Sequence, residues 1–298
     1  ADTVRDAVAR IVELRPDLVI STGDMVAGQR PALLPGEQLA AMWRAFHATV
    51  TEPLAAAGIP LAVTPGNHDA SAYPRFSAER RRYAKEWAHR RHGLDPVDFE
   101  DFPFNYAFRA GDVLFISLDV TVTGSLPAAT RSWLGRLLER ERKANRRLVV
   151  FSHVPIWPFA QGRQEEAMHD AELHAMLAGA GVDLYLSGHH HVFYPGILDG
   201  VAYISQACLG SGTRRLASPG SPRAERGFTL LEFDADRVRA AALTAPGFTA
   251  SLDWEDLPAS LRAGGIELVR ADLAAGPLAP LRRPADAGRI THAEVSDD

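Results

Sequence analysis

Leu61-Ala62-Val63-Thr64-Pro65-Gly66-Asn67-His68-Asp69 is a short apolar strand that runs into a turn and out onto three polar donors. Leu, Ala, Val and Thr favour a buried strand, Pro65 and Gly66 end it, and Asn, His and Asp then stand in succession at its tip. An Asn side chain offers a neutral carbonyl oxygen, which ligates a hard cation without adding charge. The neighbouring His68 points to the opposite side, free for proton transfer or for stabilising a phosphate. Asp69 either orients His68 or caps the helix that follows, and the sequence fits both.

Three more strings repeat this plan. Gly23-Asp24 follows Leu18-Val19-Ile20-Ser21-Thr22, Ser152-His153 closes Leu148-Val149-Val150-Phe151, and Gly188-His189-His190-His191 follows Leu184-Tyr185-Leu186-Ser187. A His emerging from so apolar a run as the one before His153 must find a partner or bear a desolvation cost, and a metal is such a partner. Alternate side chains of an extended segment share a face, so His189 and His191 can reach neighbouring metals, while His190 is left to a supporting or surface role. Asp, Asn and His are oxygen and nitrogen donors with no thiolate among them. That set suits Mn, Fe, Ni or Zn performing hydrolysis better than a structural zinc. The other histidines, His47, His89, His92, His169, His174 and His292, sit in helical or tail segments and are expected to be structural or solvated.

Working outward, apolar strand segments alternate with helical ones, the pattern of a layered α/β domain. Buried strands are expected at 17–22, 61–64, 113–119, 148–152 and 183–187, and helices at 3–14, 37–57, 128–144 and 165–180. The Arg-rich segment 75–92 is expected to be a polar helix on the surface near the mouth of the site. Strands at 201–205, 228–233 and 238–243 then form a second sheet packed on the first. From Ala245 on, Pro, Gly and Ala dominate, so a main domain of 1–244 and a C-terminal extension of 245–298 packed over it are expected.

The 298 residues can bury a sizeable core. With 46% hydrophobic and 23% charged residues the chain is neither disordered nor membrane-embedded, and no apolar run nears the roughly 20 residues of a transmembrane helix. A net charge of −5 supplies no global cationic field, so a nucleic-acid partner is not expected, local clusters such as Arg80-Arg81-Arg82 apart. Cys208 stands alone, which excludes an internal disulfide, and it reads as a small buried apolar residue. The first residue is Ala1, with no signal-like segment. A longer precursor is expected, and the compartment stays open: cytoplasmic, or periplasmic or secreted if an export signal came before.

Taken in order, these strings resemble the calcineurin-like metallophosphoesterase superfamily, whose pattern runs D-x-H, G-D, G-N-H-[DE], a lone H and G-H-x-H. The match covers roughly the first two thirds of the chain. The resemblance implies a two-sheet αββα sandwich and a binuclear centre of divalent or mixed-valence transition metals (Mn, Fe, Ni or Zn). In it Asp24 bridges both ions, Asn67, His153 and His189 complete one site, and His191 belongs to the other. His68 then resembles the catalytic histidine, with Asp69 and His190 in support. The implied activity is hydrolysis of a small phosphate ester by a metal-bridging hydroxide attacking in line at phosphorus. Two loops are candidates for substrate binding, through Arg163 and through Arg214 and Arg215.

Two departures stand out. D-x-H on an opening strand is absent, which leaves one ion with Asp24 and His191 alone and is expected to reflect a lost N-terminal segment. Purple acid phosphatases carry Tyr three residues after the Asp of G-D, where this chain has Ala27, so their Fe(III)-phenolate site is not expected. The alternatives are a DNA-repair-type exonuclease of the same superfamily, which needs a basic face, and a non-catalytic scaffold that keeps the fold.

Overall fold

A computed structural model of the chain describes residues 2–90 and 93–281. Its largest layer is a nine-stranded sheet, in the order Ser260–Ala263, Ile266–Arg270, Tyr194–Leu198, Val201–Ser205, Leu184–Ser187, Arg147–Ser152, Val113–Ser117, Asn105–Ala110 and Asp95–Asp101. Its centre is parallel: 201–205, 184–187, 147–152 and 113–117 run the same way. These strands are the most continuous apolar runs of the chain and are buried nearly throughout, as strands covered on both faces must be.

The second layer holds Val19–Ser21 parallel to Leu61–Val63, and Gly227–Phe233 antiparallel to Val238–Thr244, the latter flanked by Ala250–Ser251 and Leu278–Pro280. Its apolar face meets the large sheet in one core, where Leu18, Ile20, Ala62, Leu231 and Val238 join the central strands. Phe233 stands edge-on to Phe115 at 5.9 Å between centroids. A polar bolt also crosses the layers. The buried Tyr106 hydroxyl donates to Val63 O at 2.6 Å and accepts from Val63 N at 3.0 Å. Helices cover both outer faces. Asp2–Leu14 packs Ala7 and Leu14 on Leu243 and Phe248, and Gly36–Phe46 and Ser77–Trp87 enclose Trp43, Tyr83 and Trp87. On the far side Ala128–Glu141 and Ala171–Ala180 bury Leu134, Leu138, Leu173 and Leu177. The result is the expected αββα sandwich.

Some elements differ from the sequence reading. Val201–Ser205 belongs to the large sheet, paired with Leu184–Ser187, rather than to the second one. The helix expected at 165–180 begins at Ala171, because Asp170 caps it by accepting from Leu173 N at 2.9 Å; residues 164–166 form a separate 3-10 turn. The Arg-rich helix spans Ser77–Trp87 and is not merely superficial, since Tyr83 and Trp87 are fully buried on its inner face. The helix expected at 37–57 passes through a π-helical turn, His47–Thr51. The hairpin of Asp95–Asp101 and Asn105–Ala110 was not anticipated, its first strand being acidic and largely exposed. Beyond residue 244, strands 260–263 and 266–270 extend the edge of the large sheet and 278–280 joins the other, while 282–298, with His292, lie outside the described residues, as does His92.

Candidate metal centre

The four donor-bearing strings leave the C-terminal ends of parallel strands, where open α/β sheets expose groups to a crevice. Ser21 lies opposite Val63, so the loops bearing Asp24 and Asn67 depart side by side from one layer. Ser152 lies opposite Ser187, so His153 and His189 depart together from the other. Gly23 and Gly66 allow the first two loops to touch. A Cβ on Gly66 would lie 2.1 Å from Asp24 N, and one on Gly23 would lie 2.7 Å from Gly66 Cα. Asp24, His189 and His191 all have left-handed backbone, with φ of 57°, 63° and 54°. Such residues cost about 1–3 kcal/mol each, which the packing around them must offset.

The side chains meet at His153 Nε2. Asn67 Oδ1 lies 2.8 Å from it, His189 Nδ1 3.2 Å and Asp24 Oδ2 3.3 Å. His153 Nδ1 donates to Thr22 O at 2.7 Å, which leaves Nε2 of the neutral ring a bare lone pair. Four lone-pair atoms from four loops thus converge with no donor among them. A proton on His153 satisfies two of them at most, whereas a metal ion satisfies all four. Among the described residues, Asp24, His153 and His189 are also the one trio of His, Cys, Asp or Glu with ligand atoms within 4.8 Å of one another. The donor set therefore fits a transition metal.

The electrostatics mark the same spot as one that draws positive charge. Burial pushes the Asp24 carboxyl up, but the adjacent His153 and the His68 side outweigh this and hold it well below the usual carboxylate range. Burial lowers His153, and the Asp24 carboxylate more than offsets that, so its pKa ends above the ordinary value. His189 is brought down to about 2 by burial and by His153, so it is a neutral imidazole at any physiological pH, the form that ligates.

His68 is fixed beside this cluster but outside it. Its backbone N donates to Asp24 Oδ1 at 2.8 Å and its Nδ1 donates to Gly28 O at 2.6 Å, so Nε2 faces the cleft. Asp69 is fully buried and accepts from Val26 N at 2.8 Å and Gly66 N at 3.2 Å, tying the two donor loops together. Burial and the nearby Asp24 raise its carboxyl to about 7. Gln29 escaped the sequence reading. Its Oε1 accepts from Asn67 Nδ2 and its Nε2 donates to Ser71 Oγ at 3.2 Å, so the Asn67 amide must turn its oxygen to the cluster. Glu166 also escaped it: Oε2 pairs with Arg163 and lies 3.3 Å from His189 Nε2. Neither residue follows a strand, so no strand-end signal marks it.

A cleft of about 280 Å³ opens over the cluster, lined by Asp24, Asn67, His68, His189 and His191 together with Tyr73, Arg163, Glu166 and Arg214. His191 stands apart from the four converging atoms. Its Nδ1 donates to Gly212 O at 2.8 Å, leaving Nε2 available. His190 is fully buried, accepting from Phe159 N at 3.0 Å and donating to Glu166 O at 3.2 Å. The histidine run is turned rather than extended, with His189 and His191 lining the cleft and His190 outside it. Arg215 does not line the cleft; its guanidinium donates to Ser221 O at 2.7 Å. Elsewhere His47 pairs with Glu86 and His174 with Asp199 and Tyr203. Cys208 is half-buried rather than buried, with Sγ 3.3 Å from Ser211 O. No helix among the described residues is long and apolar enough to cross a membrane.

Comparison with known proteins bears on this arrangement. The sequence pattern of the calcineurin-like phosphoesterases matches residues 1–193. Similar solved structures include a dimetal phosphatase from Danio rerio (17% identity, 84% of this chain and 87% of that one, TM-score 0.59). Another is PhoD (12% identity, 91% and 69% coverage, TM-score 0.61). A third is GAP50, the anchor in the inner membrane complex of Plasmodium (14% identity, 81% and 79% coverage, TM-score 0.52). At such identities the likeness is one of fold. No curated protein matches the chain in sequence.

Proposed function

The chain belongs to the calcineurin-like phosphoesterase family, and on that premise we propose that it hydrolyses small phosphoric esters at a metal centre held by Asp24, Asn67, His153 and His189. A second ion would be shared by Asp24 and His191, and with only these two donors among the described residues it would be the weaker of the two. The observation that carries this reading is the convergence of Asn67 Oδ1, His189 Nδ1 and Asp24 Oδ2 on His153 Nε2, beside the cleft that His68 also lines. Mn, Fe, Ni and Zn all suit these donors, and such ions supply Lewis acidity at phosphorus and acidify water.

The protein's own groups do the rest. Asn67 adds a donor without charge, so the centre keeps a net positive field toward a phosphate. His68, with Nδ1 committed to Gly28 O, presents Nε2 to the cleft, and in its imidazolium form it can pass a proton from there to the departing alcohol oxygen. Asp24 Oδ1 accepts from the His68 backbone and so fixes the acid relative to the ligand set. A nucleic-acid substrate is the less favoured alternative, because the net charge is −5 and three arginines of the basic segment are paired internally, Arg80 with Asp119 and Arg82 and Arg90 with Glu86. A scaffold role is opposed by the complete donor cluster. The test is to strip the protein with a chelator, reload it with each of the four metals, and assay phenyl phosphate and a diaryl phosphate. Activity that disappears and returns with metal supports the reading, and full activity in metal-free protein contradicts it.

A further inference from the structure

The cleft lining also carries charge that the phosphoester chemistry leaves unused. Arg163 and Arg214 face the cleft with a single carboxylate, Glu166, between them and the histidines. Arg163 is paired with Glu166. Arg214 is not: its buried Nε has no hydrogen-bond partner, and among the described residues none of its guanidinium nitrogens bonds to a protein group. Burial and the proximity of Arg163 both act against its charge, and the Glu166 carboxylate, already paired with Arg163, only partly offsets them.

Both arginines are placed by the histidine run. His191 Nδ1 donates to Gly212 O, and Arg214 N donates to His191 O at 3.4 Å, which holds the 212–214 loop against the donor string. His190 Nε2 donates to Glu166 O and its Nδ1 accepts from Phe159 N, which fixes the 159–166 loop bearing Arg163. The Glu166 carboxylate spans from Arg163 to His189.

Resting on the hydrolase reading above, we propose that Arg163 and Arg214 form a second anion subsite, so that the preferred substrate is a phosphate ester whose alcohol carries a further anionic group. The planar guanidinium forks suit a phosphate or a carboxylate equally, and the shared requirement is negative charge beside the ester.

The test uses metal-loaded protein and two esters of matched reactivity, phenyl phosphate and 3-carboxyphenyl phosphate. The wild type is expected to favour the carboxylated ester in kcat/KM by roughly 10-fold to 100-fold, the range for a charged hydrogen-bonded contact. Arg214→Leu is expected to bring that ratio close to one, and Arg214→Lys to restore part of it, an outcome that general damage to the fold would not give. A wild-type ratio near one, or an Arg214→Leu variant in which both esters fall together with the ratio kept, overturns the second subsite while leaving the hydrolase reading intact. Failure to hydrolyse either ester overturns that reading and the inference with it.

Discussion

His68 is anchored at backbone and ring by two points of the loop after Val19–Ser21, Asp24 and Gly28, which is more restraint than a surface histidine needs. His68→Ala is expected to lower turnover by roughly 100-fold to 10,000-fold, the range for losing a general acid, with metal content within about twofold of wild type. Joint loss of metal and turnover would make His68 a ligand. Gln29 acts one step further out. Gln29→Ala frees the Asn67 amide to rotate, and metal retained after dialysis should fall by roughly 10-fold to 100-fold, as for the loss of other partners that orient a ligand. Unchanged retention would show that Asn67 is oriented by something else. The contrast explains what could be read from sequence. Asp24, Asn67, His153 and His189 each follow an apolar run and a turn, so the strand places them. Gln29 lies 38 residues from the amide it orients, on a loop with no periodicity, and only the folded chain brings the two together.

At the scale of elements, the parallel strands were legible because burial on both faces demands unbroken apolar runs. The strand Asp95–Asp101 is exposed and acidic, and Tyr194–Leu198 contains Pro195 and Gly196, so neither carries that signal; tertiary pairing makes them strands. The late start of Ala171–Ala180 traces to Asp170, which accepts from Leu126 N and Leu173 N and pairs with Arg131 at 2.8 Å. Burial raises the Asp170 carboxyl, but these bonds outweigh it and hold the pKa below the ordinary value. A depressed folded-state pKa stabilises above the unfolded value and loses that contribution as pH falls through the folded one. Asp170→Ala is therefore expected to cost about 3 kcal/mol near neutrality, measured by denaturant unfolding, and the gap to wild type should narrow below about pH 4. A gap that persists at low pH would assign the loss to packing instead.

Across the whole molecule, the donor cluster joins the two layers of the sandwich: Asp24 and Asn67 come from strands of one sheet, His153 and His189 from the other. An ion there ties the sheets together at one edge of the core. Loading at about 100 times Kd should add about 2.7 kcal/mol to stability and raise Tm, and a chelator should reverse it. Equal melting with and without metal would show that no ion binds the folded chain preferentially, against the metal centre. The layering itself was legible from alternating strands and helices. The assignment of strands to sheets was less so, because 201–205 and 227–233 are both short apolar runs and only pairing separates them. The account rests most heavily on the ring of His153, where all four donors meet. The decisive measurement is metal content of wild type and His153→Ala after exhaustive dialysis, with cooperative unfolding checked for both. Wild type should keep at least one ion per chain and the folded variant lose nearly all of it; equal retention by a folded His153→Ala would contradict the metal centre.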